Sequence, residues 1–369
     1  MLKRNREHPF QRMDVLGMRP RTWRRTLARV PRPVDRGFEH RVLGGLMVAA
    51  ANAVGARLRR LNGQALPNPS GIEVTFIIGH WRSGTTFLHH LLAANPRFGT
   101  LPTSMAIFPD LYGTPLLMPV LTALGIGKPY RRLIDNVMLT PDSPMELEFA
   151  VLNLTGLSEY LSTNFPRNRR DFLKYLRASP SDCTVDEDRA WRRAVIETTA
   201  RLAVDGRTVL HKNPPSTANI GELKRMFPRA QFVFLHREPL GVFRSTLRTW
   251  QRLTHGGTLQ WDVDDGLEDY VIERYIRLHE AYLAQRGQIS PGDLVEMRFE
   301  DLLADPLAAV GAIHRQLGWG APDIAVHEGY LSSVERYQRG DYAVPDSELT
   351  NRVQQTWGPI RERLDGSDP

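Results

Sequence analysis

Apolar residues fall into short runs separated by polar turns, with one longer exception near the start of the chain. That run, residues 42–56 (VLGGLMVAAANAVGA), holds 15 residues without a charge, fewer than the roughly 20 needed to cross a bilayer. Gly44, Gly45 and the alanines suit a helix packed closely on the core, with a helix lying at a membrane surface as the alternative. Residues 62–72 (NGQALPNPSGI) then break the helix. Residues 73–79 (EVTFIIG) read as a buried strand and 84–94 (GTTFLHHLLAA) as a helix. The same grammar recurs: strands at 207–211 and 231–236, and a helix opening at Pro239, where the missing N–H costs nothing. A further strand at 293–299 follows the periodic segment 270–285 and precedes a helix after Pro306. Strands alternating with helices predict a parallel sheet wrapped on both faces.

Three segments stand apart from this alternation. Residues 103–144 are apolar and Pro-rich, which fits either a lid or acceptor pocket or ordinary packing. Residues 179–188 (SPSDCTVDED) read as a polar surface loop. The expected boundaries are an N-terminal arm with a helical appendage at 1–72, the α/β domain at 73–364 and a frayed tail at 365–369.

With 369 residues, 41% of them hydrophobic, the chain can bury a full core. Its one cysteine, Cys183, cannot form an internal disulfide, and no Cys/His spacing resembles a zinc site. A reducing compartment, the cytoplasm, and a metal-free fold are therefore expected. No signal peptide is expected, since the first long apolar stretch begins only at Val42. The net charge of +7 is not spread evenly: residues 1–36 hold eleven Lys and Arg against three acids, so the remainder is close to neutral. Such an arm could meet anionic lipid or nucleic acid, but a solvated segment lying over its own domain is the expectation. Peripheral membrane contact stays open, no nucleic-acid partner is expected, and nothing in the sequence fixes an oligomeric state.

Gly79-His80-Trp81-Arg82-Ser83-Gly84-Thr85-Thr86 fits the phosphate-loop frame G-x-x-x-x-G, except that Thr85 stands where nucleotide triphosphatases place lysine. A loop between a buried strand and a helix aims backbone N–H groups at an anion. Ser83, Thr85 and Thr86 add hydroxyls, and Gly84 allows the turn. Without the lysine or an evident acidic Mg²⁺ partner, binding of a β,γ-phosphate with metal is poorly supported. The cation has moved to Arg82, where it can meet negative charge developing on a leaving oxygen. Farther along, Arg237 ends a strand and Ser245 lies eight residues on, about 9 Å along the following helix. The spacing permits a shared anion without requiring it. Arg237 could instead pair with Glu238 or Asp269.

R-S-G-T-T-x-L-x-x-L after a buried strand resembles the 5′-phosphosulfate loop of sulfotransferases that use 3′-phosphoadenosine 5′-phosphosulfate (PAPS). Arg at position 82 is similar to the bacterial and tyrosylprotein branch. The resemblance implies a P-loop-like three-layer α/β domain, a central parallel sheet flanked by helices with an N-terminal helical appendage. It also implies that Arg237 and Ser245 hold the 3′-phosphate, and that Phe299, in Phe299-Glu300-Asp301-Leu302, flanks adenine. Glu300 and Asp301 are expected to cap the next helix. Lys212, in His211-Lys212-Asn213-Pro214, matches a lysine expected to stabilise the transferring sulfuryl group. The resemblance leaves the base open: Glu146 and Glu148 are candidates, expected to diverge so that one faces the site. Arg339-Gly340-Asp341-Tyr342 is similar to a late cofactor-closing loop, though a surface turn explains it equally.

The expected activity is sulfuryl transfer from PAPS, without metal, to the hydroxyl of a small molecule or lipid. Two other readings compete with it. One is an ATP-dependent phosphotransferase using the same loop. The other is a non-catalytic nucleotide-binding protein at a membrane surface.

Overall fold

The computed structural model describes residues 15–63, 65–125, 129–131, 138–179, 181–261, 264–333 and 347–366. All five residues of the first strand, β1 (Val74–Ile78), are buried, and the side chains alternate between two cores. Phe76 and Ile78 join the larger apolar cluster, whereas Ile77 enters a second cluster on the other face. Burial on both faces is what a continuous apolar run demands of a parallel strand.

Four more strands complete the sheet: β2 (Phe98–Thr100), β3 (Thr208–Lys212), β4 (Gln231–His236) and β5 (Leu294–Arg298). Their spatial order is β2-β3-β1-β4-β5 and every pairing is parallel. Ile77 lies opposite Lys212 on one side and Val233 on the other. The loop after β1 is thus flanked by the carboxyl ends of β3 and β4, the place where open α/β sheets bind ligands.

Helix α1 (Pro20–Ala28) packs on α2 (Glu39–Asn62) ahead of the sheet. After β1 comes α3 (Thr85–Ala93), whose Leu88, Leu91 and Leu92 fill the second core beside Val310 and Ile313 of α8 (Pro306–Gln316). The remaining long helices are α4 (Leu147–Thr155), α5 (Val185–Leu202), α6 (Pro239–Gly257), α7 (Leu267–Gln285) and α9 (Ser347–Leu364). The last two contribute Tyr275 and Trp357, whose rings stack with centroids 3.7 Å apart.

Expectation and structure part in instructive places. The described part of the basic arm does more than lie over the domain: Val15, Met18, Trp23 and Val30 belong to the main core. Arg19 and Arg59 both bind the fully buried Asp110, at 2.5 and 2.8 Å, tying this segment to the 103–125 region. The polar run 179–188 is a loop only at its start, because Thr184 and Glu187 form a reciprocal capping box that opens α5. Glu300 and Asp301 sit inside the short helix Phe299–Ala304, and Asp305 caps α8 by accepting from the Ala308 N–H. The segment 339–342 lies outside the described residues.

Candidate active site

The loop after β1 is shaped by two glycines and one strained arginine. Gly79 and Gly84 have φ of 131° and 97°, and a side chain at either would collide, with the Leu235 carbonyl and the Phe299 ring respectively. Arg82 has φ of 69°, a left-handed conformation that costs a non-glycine residue energy and is kept where function requires it. Ser83 turns its hydroxyl back to the His80 carbonyl at 2.7 Å. Thr217 receives the Gly79 N–H at 2.7 Å. Thr85 and Thr86 open α3 behind the Gly84 cap.

On the β4 side the two sequence motifs close on each other. Arg82 donates from Nε to the Ser245 Oγ at 2.9 Å, so the rotation left open by the spacing turns Ser245 toward the loop. Arg237 donates to the Arg82 carbonyl at 3.3 Å. Neither suggested acidic partner takes Arg237. Glu238 caps α6 by accepting from the Leu240 and Gly241 N–H groups, and Asp269 pairs with Arg170 and Arg352. Among the described residues, no carboxylate pairs with Arg237. Phe299 is 2% exposed, packed against Gly84 with the Arg237 guanidinium 4.7 Å from its ring centroid. The ring is a floor under the loop and its cation, with almost no surface left to stack on a base.

On the β3 side, Lys212 pairs with Glu146, both nearly buried. The two residues also form a parallel backbone bridge, which prolongs the β3 edge to the start of α4. The other Glu146 oxygen accepts from Tyr160, whose hydroxyl oxygen in turn accepts from the Trp81 indole at 2.6 Å. Trp81, next to Arg82, is thereby wired to the carboxylate. Burial, and then the neighbouring Glu146, push the Tyr160 hydroxyl well above its ordinary pKa, so it stays a proton donor.

Glu146 and Glu148 diverge, as two positions at a helix start should. Glu146 has extended backbone and precedes α4, while Glu148 lies in its first turn. Glu148 is 2% exposed, and its backbone N–H donates to the Asn213 Oδ1 at 3.0 Å. Burial raises the Glu148 pKa to about 7, against the opposing hydrogen bond from Ser158. Its neighbour Glu159 is likewise raised to about 7 by burial, opposed by Arg274.

Tyr160, Asn213 and the Glu159–Arg274 pair were not singled out from sequence. Arg274 and Glu159 are both completely buried and 3.0 Å apart. The Arg274 guanidinium lies 3.6 Å from the Trp250 ring centroid and 4.2 Å from that of Trp81, supporting the loop from below. Only Asn213 had a local signal, its place directly after Lys212. The histidines around the loop are structural: His80 and His89 are buried, and burial holds both imidazoles well below their ordinary pKa.

A loop at a sheet switch point, flanked by arginines on one side and a lysine–carboxylate pair on the other, has the charge pattern expected of a group-transfer site for an anionic donor. The comparisons give the class its family. A model described as the sulfotransferase family matches residues 75–323. The chain is 31% identical over 301 residues to omega-hydroxy-beta-dihydromenaquinone-9 sulfotransferase Stf3 of Mycobacterium bovis, covering 78% of this chain and 74% of the relative. The chain belongs to the sulfotransferase family and is a sulfuryl-transferring enzyme. Its fold is similar to sulfotransferase STF9 from Mycobacterium avium, with a TM-score of 0.65 at 17% identity over 95% of this chain and 92% of that one. STF1 from Mycobacterium tuberculosis H37Rv gives a TM-score of 0.62 at 18% identity over 96% and 94%.

Proposed function

We propose that the chain transfers the sulfuryl group of PAPS to the hydroxyl of an apolar, lipid-like alcohol. The observation that carries the donor is the Arg82–Ser245 hydrogen bond, together with Arg237 on the Arg82 carbonyl. Arg237 and Ser245, brought to the loop from positions more than 150 residues away, suit a dianionic phosphate. The loop N–H groups suit the phosphosulfate. The residues therefore fit the two anionic ends of PAPS.

In this reading Glu146 takes the acceptor proton, the acceptor oxygen bonds to sulfur, and the bond from sulfur to the phosphate oxygen breaks. The electron pair leaves on 3′-phosphoadenosine 5′-phosphate (PAP). Arg82 stabilises the departing oxygen, and Lys212 exchanges its contact with Glu146 for the sulfuryl oxygens. Tyr160 keeps Glu146 aimed. Glu148, enclosed beside Asn213, positions the start of α4 and does not touch substrate.

The apolar acceptor rests on what surrounds Glu146. Phe149 reaches Tyr160 with ring centroids 5.1 Å apart, and it packs with Phe108, Leu111 and Leu121 from the 103–144 segment. The Mycobacterium bovis relative is named for an ω-hydroxylated dihydromenaquinone, an acceptor of the same character. The test incubates the enzyme with sulfur-labelled PAPS and long-chain or isoprenoid alcohols alongside polar alcohols of similar size. Label in the apolar products is expected. Labelling of the polar alcohols alone would remove the acceptor reading, and absence of PAP binding by calorimetry would remove the donor.

A further inference from the structure

A surface helix ordinarily turns its large apolar residues inward. α2 does the reverse. Its buried residues are small: Gly45, Ala49, Asn52, Gly55 and Ala56. Gly45 lies on the Trp23 ring and Gly55 against the Asp110 backbone, too close for any side chain. Leu43, Met47, Val54 and Leu61 are 62, 67, 51 and 75% exposed. With Ala50 they recur at alternating spacings of three and four, leaving only Arg57 between Val54 and Leu61, which sets them in one stripe about 27 Å long. Met118, 58% exposed, belongs to the Leu117–Ala123 helix, which shares an apolar cluster with Val48 and Ala51 of α2. Single exposed apolar residues are ordinary, but a helical stripe interrupted only by Arg57 calls for a partner.

We propose that α2 and the Leu117–Ala123 helix form a docking face that lies in the interface of a membrane containing anionic lipid. Charge selects this occupant. α1 and α2 together carry seven arginines and one acid, Glu39, and Arg21, Arg24, Arg25, Arg57 and Arg60 are exposed. Arg57 stands within the stripe, where its long side chain can reach lipid phosphates while the stem stays among the apolar residues. A second copy pairing stripe against stripe would meet the same arginines with almost no carboxylate on either helix to offset them. An anionic surface supplies that countercharge. No helix among the described residues is long and apolar enough to cross a membrane, and the face lies on the bilayer. Inward, Val48, Ala51 and Phe149 pack against the same apolar cluster around Phe108, and Phe149 touches Tyr160 beside Glu146. The face therefore adjoins the wall of the site. Its use in collecting an acceptor rests on the apolar-acceptor reading; the docking itself does not.

The experiment is co-sedimentation of the full chain with vesicles of phosphatidylcholine alone or mixed with phosphatidylglycerol. Wild type should partition onto the mixed vesicles. Met47→Glu/Val54→Glu should lower that partition at least tenfold. Arg24→Ala/Arg25→Ala should lower it by about fivefold per arginine, on the anionic vesicles only. PAP binding by calorimetry should be unchanged in both variants, showing intact folds. Absence of PAP binding by wild type alongside intact vesicle binding would overturn the PAPS-donor reading and leave the docking face standing. Wild type that stays in the supernatant with both vesicles, or a glutamate variant that sediments equally well, overturns the docking face. So does a wild-type dimer that the glutamate variant converts to monomer without any vesicle binding, since the stripe would then belong to a second copy.

Discussion

The two strands beside β1 end in different kinds of chemistry. On the β4 side, Arg82, Arg237 and Ser245 are cations and a hydroxyl held against a loop, with Phe299 as a fixed floor. On the β3 side, Lys212 and Tyr160 both hold the Glu146 carboxylate, so cation, carboxylate and hydroxyl form one hydrogen-bonded chain. The first arrangement can grip a fixed charge but offers no base. The second can move a proton but already balances its own charge. A transferase that binds a dianionic donor and activates a neutral alcohol needs both, with the loop between them.

The sharpest way to break this comparison is at the loop cation of the β4 side. Arg82→Ala removes the loop cation and its bond to Ser245, and should lower kcat/KM by about 10³-fold while weakening PAP binding. A variant that bound PAP normally and kept its rate would leave the loop without its assigned role.

Next comes Glu146→Gln, which should lower kcat by about 10²-fold with PAP affinity nearly unchanged, a separation that the Arg82 variant should not show. It also strands a buried lysine, and removing one partner of such a pair costs about 3–5 kcal/mol. Glu146→Gln/Lys212→Met should recover much of the lost melting temperature and none of the rate. If the double variant regained activity, Glu146 would be structural and the base would lie elsewhere.

The same asymmetry explains what could be read from sequence. The β4 side was legible because each residue lies on the loop after a strand or within two turns of the following helix, so strand, loop and helix bring it close, although only the structure fixes the rotation of Ser245. The parallel sheet was legible for the same local reason, from apolar runs such as 73–79 and 231–236. The β3 side depends on where α4 crosses the sheet, and no local spacing announces that Tyr160 meets both Trp81 and Glu146. Phe299 shows the reverse limit: the sequence marks the residue, but only packing against Gly84 reveals a ring with almost no exposed surface. The capping box at Thr184 was readable in the sequence, yet polar composition concealed it under the reading of a loop.

A smaller effect should follow from Ser245→Ala, which takes away one hydroxyl. The loss should weaken PAP by about fivefold, the worth of one modest hydrogen bond, and leave kcat within twofold at saturating donor. A drop in kcat with unchanged PAP affinity would move Ser245 from the donor's phosphate to the reacting centre.

The finest test concerns Glu148, where the comparison is between neighbouring carboxylates on the β3 side. Burial raises its pKa from an ordinary 4.5 to about 7, so the folded chain holds this proton where the unfolded chain has lost it. Its contribution to stability therefore falls as pH rises from about 4.5 to about 7, and levels off above that window. Glu148→Gln mimics the protonated form at every pH. Melting temperatures of variant and wild type should nearly coincide at pH 5, and by pH 8 the variant should be the more stable by a few degrees. Glu159 and the buried histidines titrate in both proteins, so most of their effect cancels in the difference. A gap that stayed constant from pH 5 to pH 8 would mean that Glu148 is ionised throughout. It would then be as eligible a base as Glu146, and the division between a proton-accepting carboxylate and a positioning one would fail.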